Sequence, residues 1–296
     1  MKWLRALRRS VHQIESLESR MRRVQEALGR IERRQLRARE ALDWREHEFR
    51  VYSQWGEDGL IQHLVGVVPI ARRVFVEFGV EDYQEANTRF LLVNDGWSGL
   101  VMDASEENIQ RIRRDPLFWQ HNLKARQAFV TRENIDGLLA DQGLAGDIGL
   151  LSIDIDGNDY WVWDAINAVS PAIVVIEYNA RFGPERAVTA PYDERFDRTR
   201  AHPSMIYYGA SLRALWLLGR RKGYALVGCN AAGNNAFFVR EDLLPASLAA
   251  RTPEEAFAPS KFREARDAQG NLALLDPAQE AEILRDLPVI DVDEGR

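Results

Sequence analysis

The chain has 296 residues, of which 46% are hydrophobic and 28% charged, and its formal net charge is −6. This length suits one large α/β domain with additions, or two modest domains. The acidic balance argues against nucleic acid as a partner, because contact with phosphates requires a basic surface. With Cys229 as its single cysteine, the chain can form no intramolecular disulfide and no thiolate metal cluster of its own, which fits a reducing compartment.

The charge is distributed unevenly, and the sequence offers no transmembrane segment. Residues 1–50 carry 14 Lys and Arg against 8 Asp and Glu, so this basic segment could touch an anionic membrane surface or simply be solvated. No run of about 18 apolar residues occurs, and the apolar stretch at the N-terminus is too short for a secretory signal. We therefore expect a cytoplasmic protein, with peripheral membrane contact as an open alternative.

The first predicted element is a long helix with a heptad repeat. Its apolar residues follow alternating steps of three and four, with Ser10 and Gln35 as polar members of the same series. The apolar members are Leu7, Ile14, Leu17, Met21, Val24, Leu28, Ile31, Ala38 and Leu42. This spacing keeps one apolar edge along the whole helix and is typical of coiled coils. A helix lying on its own domain is the alternative, but one roughly 60 Å long would overhang that domain. We expect residues 1–48 to form a coiled-coil helix that joins copies of the chain into a homo-oligomer.

From about residue 52, short apolar runs alternate with helical patterns. The predicted strands are 74–80, 98–104, 124–130, 148–156, 172–179, 224–230 and 235–241, and the predicted helices between them are 87–95, 105–114, 132–141, 159–168 and 209–222. Several runs are almost wholly apolar, as expected for strands that are buried on both faces of a sheet. Strands alternating with helices predict a mainly parallel Rossmann-like sheet over residues 49–242. The short AAGN turn predicts that the last two strands form an antiparallel hairpin.

Two segments lie outside this alternating pattern. Residues 181–208 form a loop that is too long for a simple connection, and such loops are usually lids or binding elements. After residue 242 the sequence is rich in Pro, Ala and acidic residues, with a helix start at Asp276 and Pro277. We expect residues 243–296 to be an acidic extension that wraps the domain or its partner.

The first strand ends in residues that suit a bound ligand. Glu77 and Gly79 close the strand, and a polar loop leads to a helix that Asn87 or Thr88 can cap. Gly79 allows a tight turn beneath a ligand. Glu77 and Glu81 could receive the amino group of an amino-acid moiety. The acidic residues after Gly79 disfavour a dinucleotide, whose pyrophosphate requires a glycine-rich turn.

Two further segments contribute candidate residues for an adenosine-containing cofactor. Asp103 ends the second strand, where a carboxylate can accept hydrogen bonds from both ribose hydroxyls. Alternatively Asp103 caps the next helix, although Ser105 is the better cap. We favour ribose binding, with Ala104 and Ser105 as further cofactor-binding residues. The segment YSQWGEDGLIQHL is either a helix N-terminus or a cover over the cofactor, to which Gln54 and Glu57 would belong.

The ends of the fourth and fifth strands carry the densest polar cluster. Asp154 and Asp156 lie two apart, as do Glu177 and Asn179, so on extended strands each pair would share a face. In a parallel sheet these strand ends meet at the C-terminal edge, where ligands bind. Together the four residues predict a Mg²⁺ or Mn²⁺ site, since both ions prefer oxygen ligands. The alternative is that Asp154 holds substrate or cofactor while Asp156 and Asp159 cap the following helix.

In their order and spacing these motifs resemble those of the FkbM-type methyltransferases. The matching segments, all within residues 52–180, are YSQWGEDGLIQHL, FVEFGVEDYQEANTRFLL, WSGLVMDAS, LLSIDIDGNDYWVW and VVIEYN. The resemblance implies a class I methyltransferase fold, S-adenosylmethionine as methyl donor, and O-methylation of a sugar or polyketide hydroxyl. It also implies that Glu77 and Gly79 belong to the first cofactor motif, that Asp103 is the ribose acid and that Asp154 closes the fourth strand.

The resemblance extends to the expected catalytic residues. Related metal-dependent sugar O-methyltransferases carry acids at the ends of strands four and five, which matches Asp154, Glu177 and Asn179. We expect a small-molecule or glycan acceptor, with Asp154 and Asp156 beside its hydroxyl as bases or metal ligands. Asp154 is also expected to touch the cofactor.

Two other functions fit parts of the sequence. The segment Asp154-Ile155-Asp156 is a DxD pattern, which a metal-dependent glycosyltransferase could use to hold a nucleotide-sugar diphosphate. The loop of residues 80–86 is irregular, with Tyr83 and Glu85 where the family commonly has a more glycine-rich loop. The chain could therefore also be a coiled-coil scaffold whose Rossmann-like body has lost catalysis.

Overall fold

A seven-stranded sheet runs through the centre of this computed structural model, which describes residues 2–39 and 43–292. Its strands are β1 (Val74–Phe78), β2 (Ser98–Asp103), β3 (Leu123–Gln127), β4 (Gly146–Ile153), β5 (Val169–Glu177), β7 (Tyr224–Cys229) and β8 (Asn235–Arg240), while β6 (Val188–Thr189) and β9 (Ile290–Asp291) form a separate pair. The order across the large sheet is β3-β2-β1-β4-β5-β8-β7. Strands β1 to β5 are parallel, and β8 runs antiparallel to both β5 and β7. The predicted mainly parallel α/β sheet with an antiparallel C-terminal hairpin is thereby confirmed.

Helices cover both faces of the large sheet. They are α1 (Lys2–Arg37), α2 (Glu57–Val67), α3 (Arg89–Asp95), α4 (Glu106–Arg114), α5 (Pro116–Gln120), α6 (Ile135–Asp141), α7 (Asp159–Ala165), α8 (Arg198–Ala201), α9 (Leu212–Arg221), α10 (Pro253–Ala256) and α11 (Pro277–Arg285). Alternate strand residues enter different cores: Phe75 packs with α2 to α5, whereas Val76 packs with α6, α7 and α9. Burial of both faces explains why the central strands are almost wholly apolar.

All seven predicted strands are present, but those that lead into the ligand edge end earlier than predicted. Strand β1 ends at Phe78, β4 at Ile153 and β5 at Glu177. The residues that follow leave the extended conformation: Gly79 has φ +70° and Asp156 has φ +56°. Side chains beyond the strand ends therefore no longer alternate between the two faces of the sheet.

Helix α1 lies against the domain along one of its faces. Gly29 faces the segment after the helix so closely that an added Cβ would come to 2.4 Å from Cγ2 of Val51. Nearby, Arg33 forms an ion pair with Asp95 at 2.7 Å, and Leu36 packs on the small core of residues 49–52 and 90. The part of α1 around residues 29–36 thus rests on its own domain, as the alternative prediction proposed for the whole helix.

The heptad edge of α1 faces away from the domain. Six of its apolar side chains are exposed, from 49% for Ile31 to 65% for Met21: Ile14, Leu17, Met21, Val24, Leu28 and Ile31. Leu42 and the side chains of Leu7 and Ser10 lie outside the described part of the chain. The predicted coiled coil stays a prediction. Among the described residues, no helix, α1 included, combines the length and apolar character needed to cross a bilayer.

The C-terminal extension folds back over the long loop of its own chain. Strand β9 pairs antiparallel with β6 inside that loop. Ala265 and Leu284 are buried in one cluster with Phe182 and Val188. The extension therefore wraps its own domain, which is one of the two arrangements expected from the sequence. It also brings residues 258–266 towards the C-terminal edge of the sheet.

Candidate functional site

A cavity of about 560 Å³ lies at the C-terminal edge of the large sheet. It is bounded by the turns that follow β1 to β5, by the long loop and by the C-terminal extension. Ten residues singled out in the sequence line it: Gln54, Glu77, Gly79, Glu81, Asn87, Asp103, Ala104, Asp154, Asp156 and Glu177. Four others contribute no lining: Glu57, Thr88, Ser105 and Asn179. Most of the residues predicted to form the site are therefore gathered around a single cavity.

Gly79 brings the first and fourth strands into direct contact at this cavity. It adopts the left-handed conformation, and a Cβ at this position would lie 1.7 Å from the carbonyl oxygen of Asp154. No side chain fits at that distance, so glycine is required for two reasons, its φ and its packing. The turn after β1 is consequently fixed against the end of β4.

Substituting Gly79 by alanine should lower the free energy of unfolding by at least about 3 kcal/mol, through left-handed strain plus overpacking. Gly96 is the matched control, because its φ is +65° but nothing lies within 4 Å of its added Cβ. Gly96→Ala should cost only the strain, about 1–2 kcal/mol. Urea unfolding followed by tryptophan fluorescence measures both. Equal losses in the two variants would contradict the packing argument.

Glu77 anchors the end of the first loop from beneath the cavity. Its Oε1 accepts a hydrogen bond from the Asn87 backbone N–H at 2.8 Å, and its Oε2 accepts from the Thr88 N–H at 3.1 Å and from the Thr88 hydroxyl. Burial raises the pKa of Glu77 to about 7, although these hydrogen bonds favour the ionised form. Both oxygens are thus already in use, and the direct effect of Glu77 is to position the loop. Thr88 is held against Glu77 by these hydrogen bonds and therefore does not line the cavity.

The irregular first loop leaves the cavity open. Tyr83 points into the core, where it is 1% exposed and its hydroxyl lies 2.8 Å from Oγ1 of Thr88. Glu85 forms an ion pair with Arg50 at the rim, at 2.8 Å. Tyr83, which stands where a more glycine-rich loop was expected, therefore packs the loop onto the core and leaves the cavity open.

Asp103 holds the loop and the start of α4 as well as lining the cavity. Its Oδ2 accepts from the Glu81 N–H at 2.9 Å, and its Oδ1 accepts from the Ser105 N–H at 2.8 Å and from Asn108 at 3.1 Å. Ser105 caps α4 by accepting from the Asn108 N–H. The capping alternative is therefore observed for both residues. Ribose binding by Asp103 stays a prediction.

Glu57 needs a correction, because it faces the C-terminal hairpin and not the cavity. Its carboxylate accepts from the side-chain amides of Asn230 at 2.6 Å and Asn235 at 3.0 Å, and from the Trp55 N–H. Asn230 and Asn235 are far from Glu57 in the sequence, so a local motif could not reveal them. Glu57 ties the cover segment to the sheet, and Gln54 is the residue of this segment that reaches the cavity.

A cluster of three carboxylates, with Asp159 and Glu177 buried and Asp154 partly buried, forms the floor of the cavity. Asp154, Asp159 and Glu177 each place an oxygen within 4.8 Å of the others. Burial first, and then repulsion from neighbouring carboxylates, raises the pKa of both Asp154 and Glu177 well above the ordinary range. The pKa of Asp159 rises to about 6 for the same first reason, although its oxygens accept from the N–H groups of residues 155 and 157. One Glu177 oxygen, Oε2, finds no hydrogen-bond partner among residues 2–39 and 43–292.

The structure corrects the predicted grouping of four metal ligands. Asp156 lies beyond the end of β4, its side chain is 59% exposed, and it pairs with Arg198 at 2.9 Å. Asn179 is fully buried, donates to the carbonyls of residues 206 and 208, and accepts from the Arg181 N–H. Both errors have one cause. The prediction assumed that β4 and β5 continue to residues 156 and 179, so that side chains two residues apart would share a face. Asp159 takes their place beside Asp154 and Glu177.

Two asparagines that the sequence reasoning missed also line the cavity. Asn158 and Asn235 are each 4% exposed, and in each the side-chain Oδ1 lacks a hydrogen-bond partner in the part of the chain that the structure describes. Their amide orientations are fixed, since Nδ2 of Asn158 donates to the Asp193 carbonyl at 2.8 Å and Nδ2 of Asn235 donates to Glu57. With Oε2 of Glu177, the cavity wall therefore contains three buried acceptors in need of a donor.

The C-terminal extension, in which the sequence showed no chemistry, completes the wall. Phe262 stacks on Trp55 with ring centroids 5.3 Å apart. Glu264 accepts from Arg181 at 2.7 Å and also pairs with Arg198. Among the described residues that line the cavity there are eight carboxylates and one cation, Arg198, so the site suits a cationic or donor-rich ligand and disfavours an anion.

Comparisons with known proteins give likenesses of fold only. No protein-family model and no curated protein matches the chain. The N-terminal domain of EvdMO1, crystallised with SAH and D-fucose, is 14% identical with a TM-score of 0.40, over 62% of this chain and 80% of that one. An O-methyltransferase from Bacillus cereus in complex with SAH is 14% identical with a TM-score of 0.39, over 62% and 78%. An O-methyltransferase family protein from Burkholderia thailandensis is 11% identical with a TM-score of 0.37, over 70% and 59%. The chain is thus distantly similar to these proteins in its α/β sheet.

Proposed function

We propose that this protein is an S-adenosylmethionine-dependent methyltransferase that methylates a hydroxyl of a sugar or glycan. The observation that carries the proposal is the acidic cavity at the C-terminal edge of the sheet. There the Gly79 turn, Asp103 and the buried Asp154–Glu177 pair all meet. This is the edge at which open α/β sheets bind their ligands.

The charge of the cavity supports S-adenosylmethionine as the donor. The cofactor carries a sulfonium and an ammonium cation beside one carboxylate, for a net charge of +1, and a lining with many more acidic residues than basic ones favours positive charge. A nucleotide sugar brings a diphosphate, which the same carboxylates repel. The DxD pattern offers little compensation, because Asp156 turns towards Arg198 and lies outside the carboxylate cluster. These features favour methyl transfer over glycosyl transfer.

The three buried acceptors support a hydroxyl-bearing methyl acceptor. A sugar offers several O–H donors at short spacing, which could satisfy Oδ1 of Asn158, Oδ1 of Asn235 and Oε2 of Glu177. In the proposed reaction the acceptor oxygen attacks the methyl carbon of the sulfonium. A C–O bond forms as the C–S bond breaks, and its electron pair goes to sulfur to give S-adenosylhomocysteine. The hydroxyl proton passes to the Asp154–Glu177 pair, whose pKa values are raised by burial and by repulsion between the carboxylates, so the pair holds a proton more tightly than ordinary carboxylates do.

Metal assistance is a second possibility for the same carboxylates. Asp154, Asp159 and Glu177 would hold a Mg²⁺ or Mn²⁺ ion, since hard cations prefer carboxylate oxygens and keep several waters. When bound, the ion would lower the pKa of the acceptor hydroxyl. Full activity after treatment with EDTA would exclude this role. Loss of activity that Mn²⁺ restores would establish it.

Calorimetric titration of the full chain with S-adenosylmethionine tests the proposed function. We expect saturable binding, with S-adenosylhomocysteine competing and UDP-glucose failing to bind. Absence of cofactor binding at millimolar concentration by folded protein would overturn the proposal, and binding of UDP-glucose alone would favour a glycosyltransferase. Methylation of any saccharide in a tritium-transfer assay would exclude the inactive scaffold.

We further propose that the exposed heptad edge of α1 pairs with the same edge of a second copy. Six apolar residues spaced three and four apart are exposed on this edge, and a coiled coil buries such a stripe. The opposite face of α1 is already held by the domain. A second α1 is therefore the partner whose stripe has the matching spacing.

Disrupting this edge should convert the oligomer into a monomer. Met21→Glu together with Leu28→Glu places two charges at seam positions that are 65% and 58% exposed in the single chain. Desolvating these charges on pairing is costly, so the pairing should be lost while the domain stays folded. The control is Ser16→Glu with Arg23→Glu, which adds two glutamates on an exposed face beside the seam. Light scattering after size exclusion should give the monomer mass for the seam variant alone. A monomeric wild type would refute the pairing.

A further inference from the structure

A second cavity of about 570 Å³ borders the first. Five residues line both cavities: Phe129, Ile155, Asp156, Phe196 and Arg198. The remaining wall of the second cavity comes from residues 194–200 of the long loop and from Met205. A group bound at the carboxylate cluster could therefore extend past this border into the second cavity.

The border between the cavities is held in place by several contacts. Arg198 pairs with Asp156 at 2.9 Å, and its Nε donates to the Met205 carbonyl at 2.6 Å. The ring of Phe196 lies against Gly157, where an added Cβ would come within 2.2 Å of it. The border is consequently a packed structure.

The loop that forms the outer wall is tied to the domain at its base. Trp161 donates from its indole nitrogen to the Ala190 carbonyl at 3.0 Å. Asn158 donates to the Asp193 carbonyl, and Tyr192 donates to Glu133. These contacts hold the loop on both sides of Pro191, directly before the residues that line the second cavity.

The second cavity has fewer carboxylates than the first, three against eight. Its apolar surface comes from Met205 and from the shared border residues Phe129, Ile155 and Phe196, of which Phe129 is 52% exposed. Four of its six charged lining residues are paired, Asp156 with Arg198 and Asp197 with Arg200 at 3.2 Å, and the other two, Glu194 and Arg195, are of opposite charge. An exposed aromatic ring beside paired charges suits an apolar group better than a polyol.

We propose that the second cavity binds an apolar aglycone, alkyl or aryl, carried by the sugar acceptor. The sugar end would occupy the first cavity with its hydroxyls at the three buried acceptors, and the aglycone would lie on Phe129 and Phe196. The inference rests on the proposed methyl transfer for the assignment of the first cavity. It adds an amphiphilic substrate class, in which the acceptor is a glycoside and not a free or phosphorylated sugar.

Paired glycosides test this assignment by binding. Methyl and octyl β-glucoside, and the corresponding galactosides, are titrated below their micellar concentrations into the full chain saturated with S-adenosylhomocysteine. We expect the octyl compound of at least one pair to bind at least tenfold more tightly than its methyl partner. Phe129→Ala should remove most of that advantage, because the ring it deletes is the most exposed apolar surface of the cavity. Trp119→Ala, which deletes an aromatic ring that is 75% exposed outside both cavities, should leave it unchanged.

The outcomes separate this inference from the proposed function. If S-adenosylhomocysteine binds but the octyl compounds bind no better than the methyl compounds, the aglycone site is refuted and the proposed function stands. An octyl advantage that survives in both Phe129→Ala and Phe196→Ala also refutes it, because the alkyl chain then binds elsewhere. If S-adenosylhomocysteine does not bind at all, the proposed function fails first and the inference falls with it.

Discussion

Replacing Glu177 by glutamine should lower kcat for methyl transfer by about 10²- to 10⁴-fold, the range expected for loss of a general base. Glu177 is 7% exposed, and its Oε2 has no hydrogen-bond partner within the described residues. Glutamine keeps the size of the side chain but cannot take a proton from the acceptor. The affinity for S-adenosylmethionine should change little, so the loss should appear in kcat.

The pH dependence of the reaction adds a readout that a purely structural role would not move. Asp154 and Glu177 lie close enough to titrate together, so the pair and not one residue sets the apparent pKa. We expect the kcat of the wild type to rise with pH as the pair loses its proton. This rise should be displaced or absent in Glu177→Gln. An unchanged profile would assign the proton transfer to another group.

Glu85→Gln is the matched control for this substitution. Glu85 also lines the cavity, but it lies at the rim, where it pairs with Arg50 and is 48% exposed. The two variants remove the same carboxylate group at different depths. A comparable loss of kcat in both would show that general charge in the cavity matters, and would contradict a specific base at Glu177.

The sequence predicted the sheet well because its signals are local. A strand buried on both faces needs a continuous apolar run, and each of the seven predicted runs corresponds to a strand. The AAGN turn likewise identified the β7–β8 hairpin, whose strands pair antiparallel. Such patterns depend on neighbours in the chain, so they can be recognised without tertiary contacts.

The site was predicted less completely because its geometry depends on where strands stop. Asp156 and Asn179 were grouped with Asp154 and Glu177 on the assumption that the strands continue. The left-handed conformation of Asp156 and the 3₁₀ turn after Asn179 end that alternation. An error of two or three residues at a strand end thus moves a side chain from the cavity to the surface or into the core.

Long-range partners account for the other omissions. Glu57 binds Asn230 and Asn235 across more than 170 positions of the chain, and Glu264 meets Arg181 across 83. Neither pairing leaves a periodic or spaced motif in the sequence. The wall contributed by the C-terminal extension was missed for this reason.

The buried carboxylates should make the protein less stable as the pH rises from 6.5 to 8.5. A carboxyl group whose pKa is higher in the folded state stabilises the fold fully below its unfolded pKa, near 4. That contribution is lost as the pH rises through the folded pKa. Burial raises the pKa of Glu77 from 4.5 to about 7, which makes its total loss about 3 kcal/mol; most of this falls below pH 6.5, and about 1 kcal/mol remains to be lost between pH 6.5 and 8.5. Asp154 and Glu177, raised further by burial and mutual repulsion, act in the same direction.

The pH range is chosen so that histidines do not mask this effect. Burial lowers the pKa of His63 to about 4 and also lowers that of His47, so both destabilise the fold on acidification. Above the unfolded histidine pKa of about 6.5, the two side chains are neutral in both the folded and the unfolded protein. The histidines then add little to the change in the free energy of unfolding with pH. A decline between pH 6.5 and 8.5 can therefore be attributed to groups with raised pKa values, chiefly the buried carboxylates.

Glu177→Gln should flatten this decline, because an amide cannot ionise in the buried cluster. At pH 8.5 the variant should be more stable than the wild type, whereas at pH 6.5 the difference should be smaller. Glu85→Gln, at the exposed rim, should follow the wild-type curve. Urea unfolding at several pH values measures the free energy of unfolding of all three proteins.

A wild-type stability that stays level or increases over this range would show that the carboxylates are compensated in the folded protein. The assignment of Glu177 as the base would then lose its electrostatic support. Stabilisation by the same substitution that abolishes catalysis would instead be the result expected of a site that keeps an unfavourable charge for its chemistry.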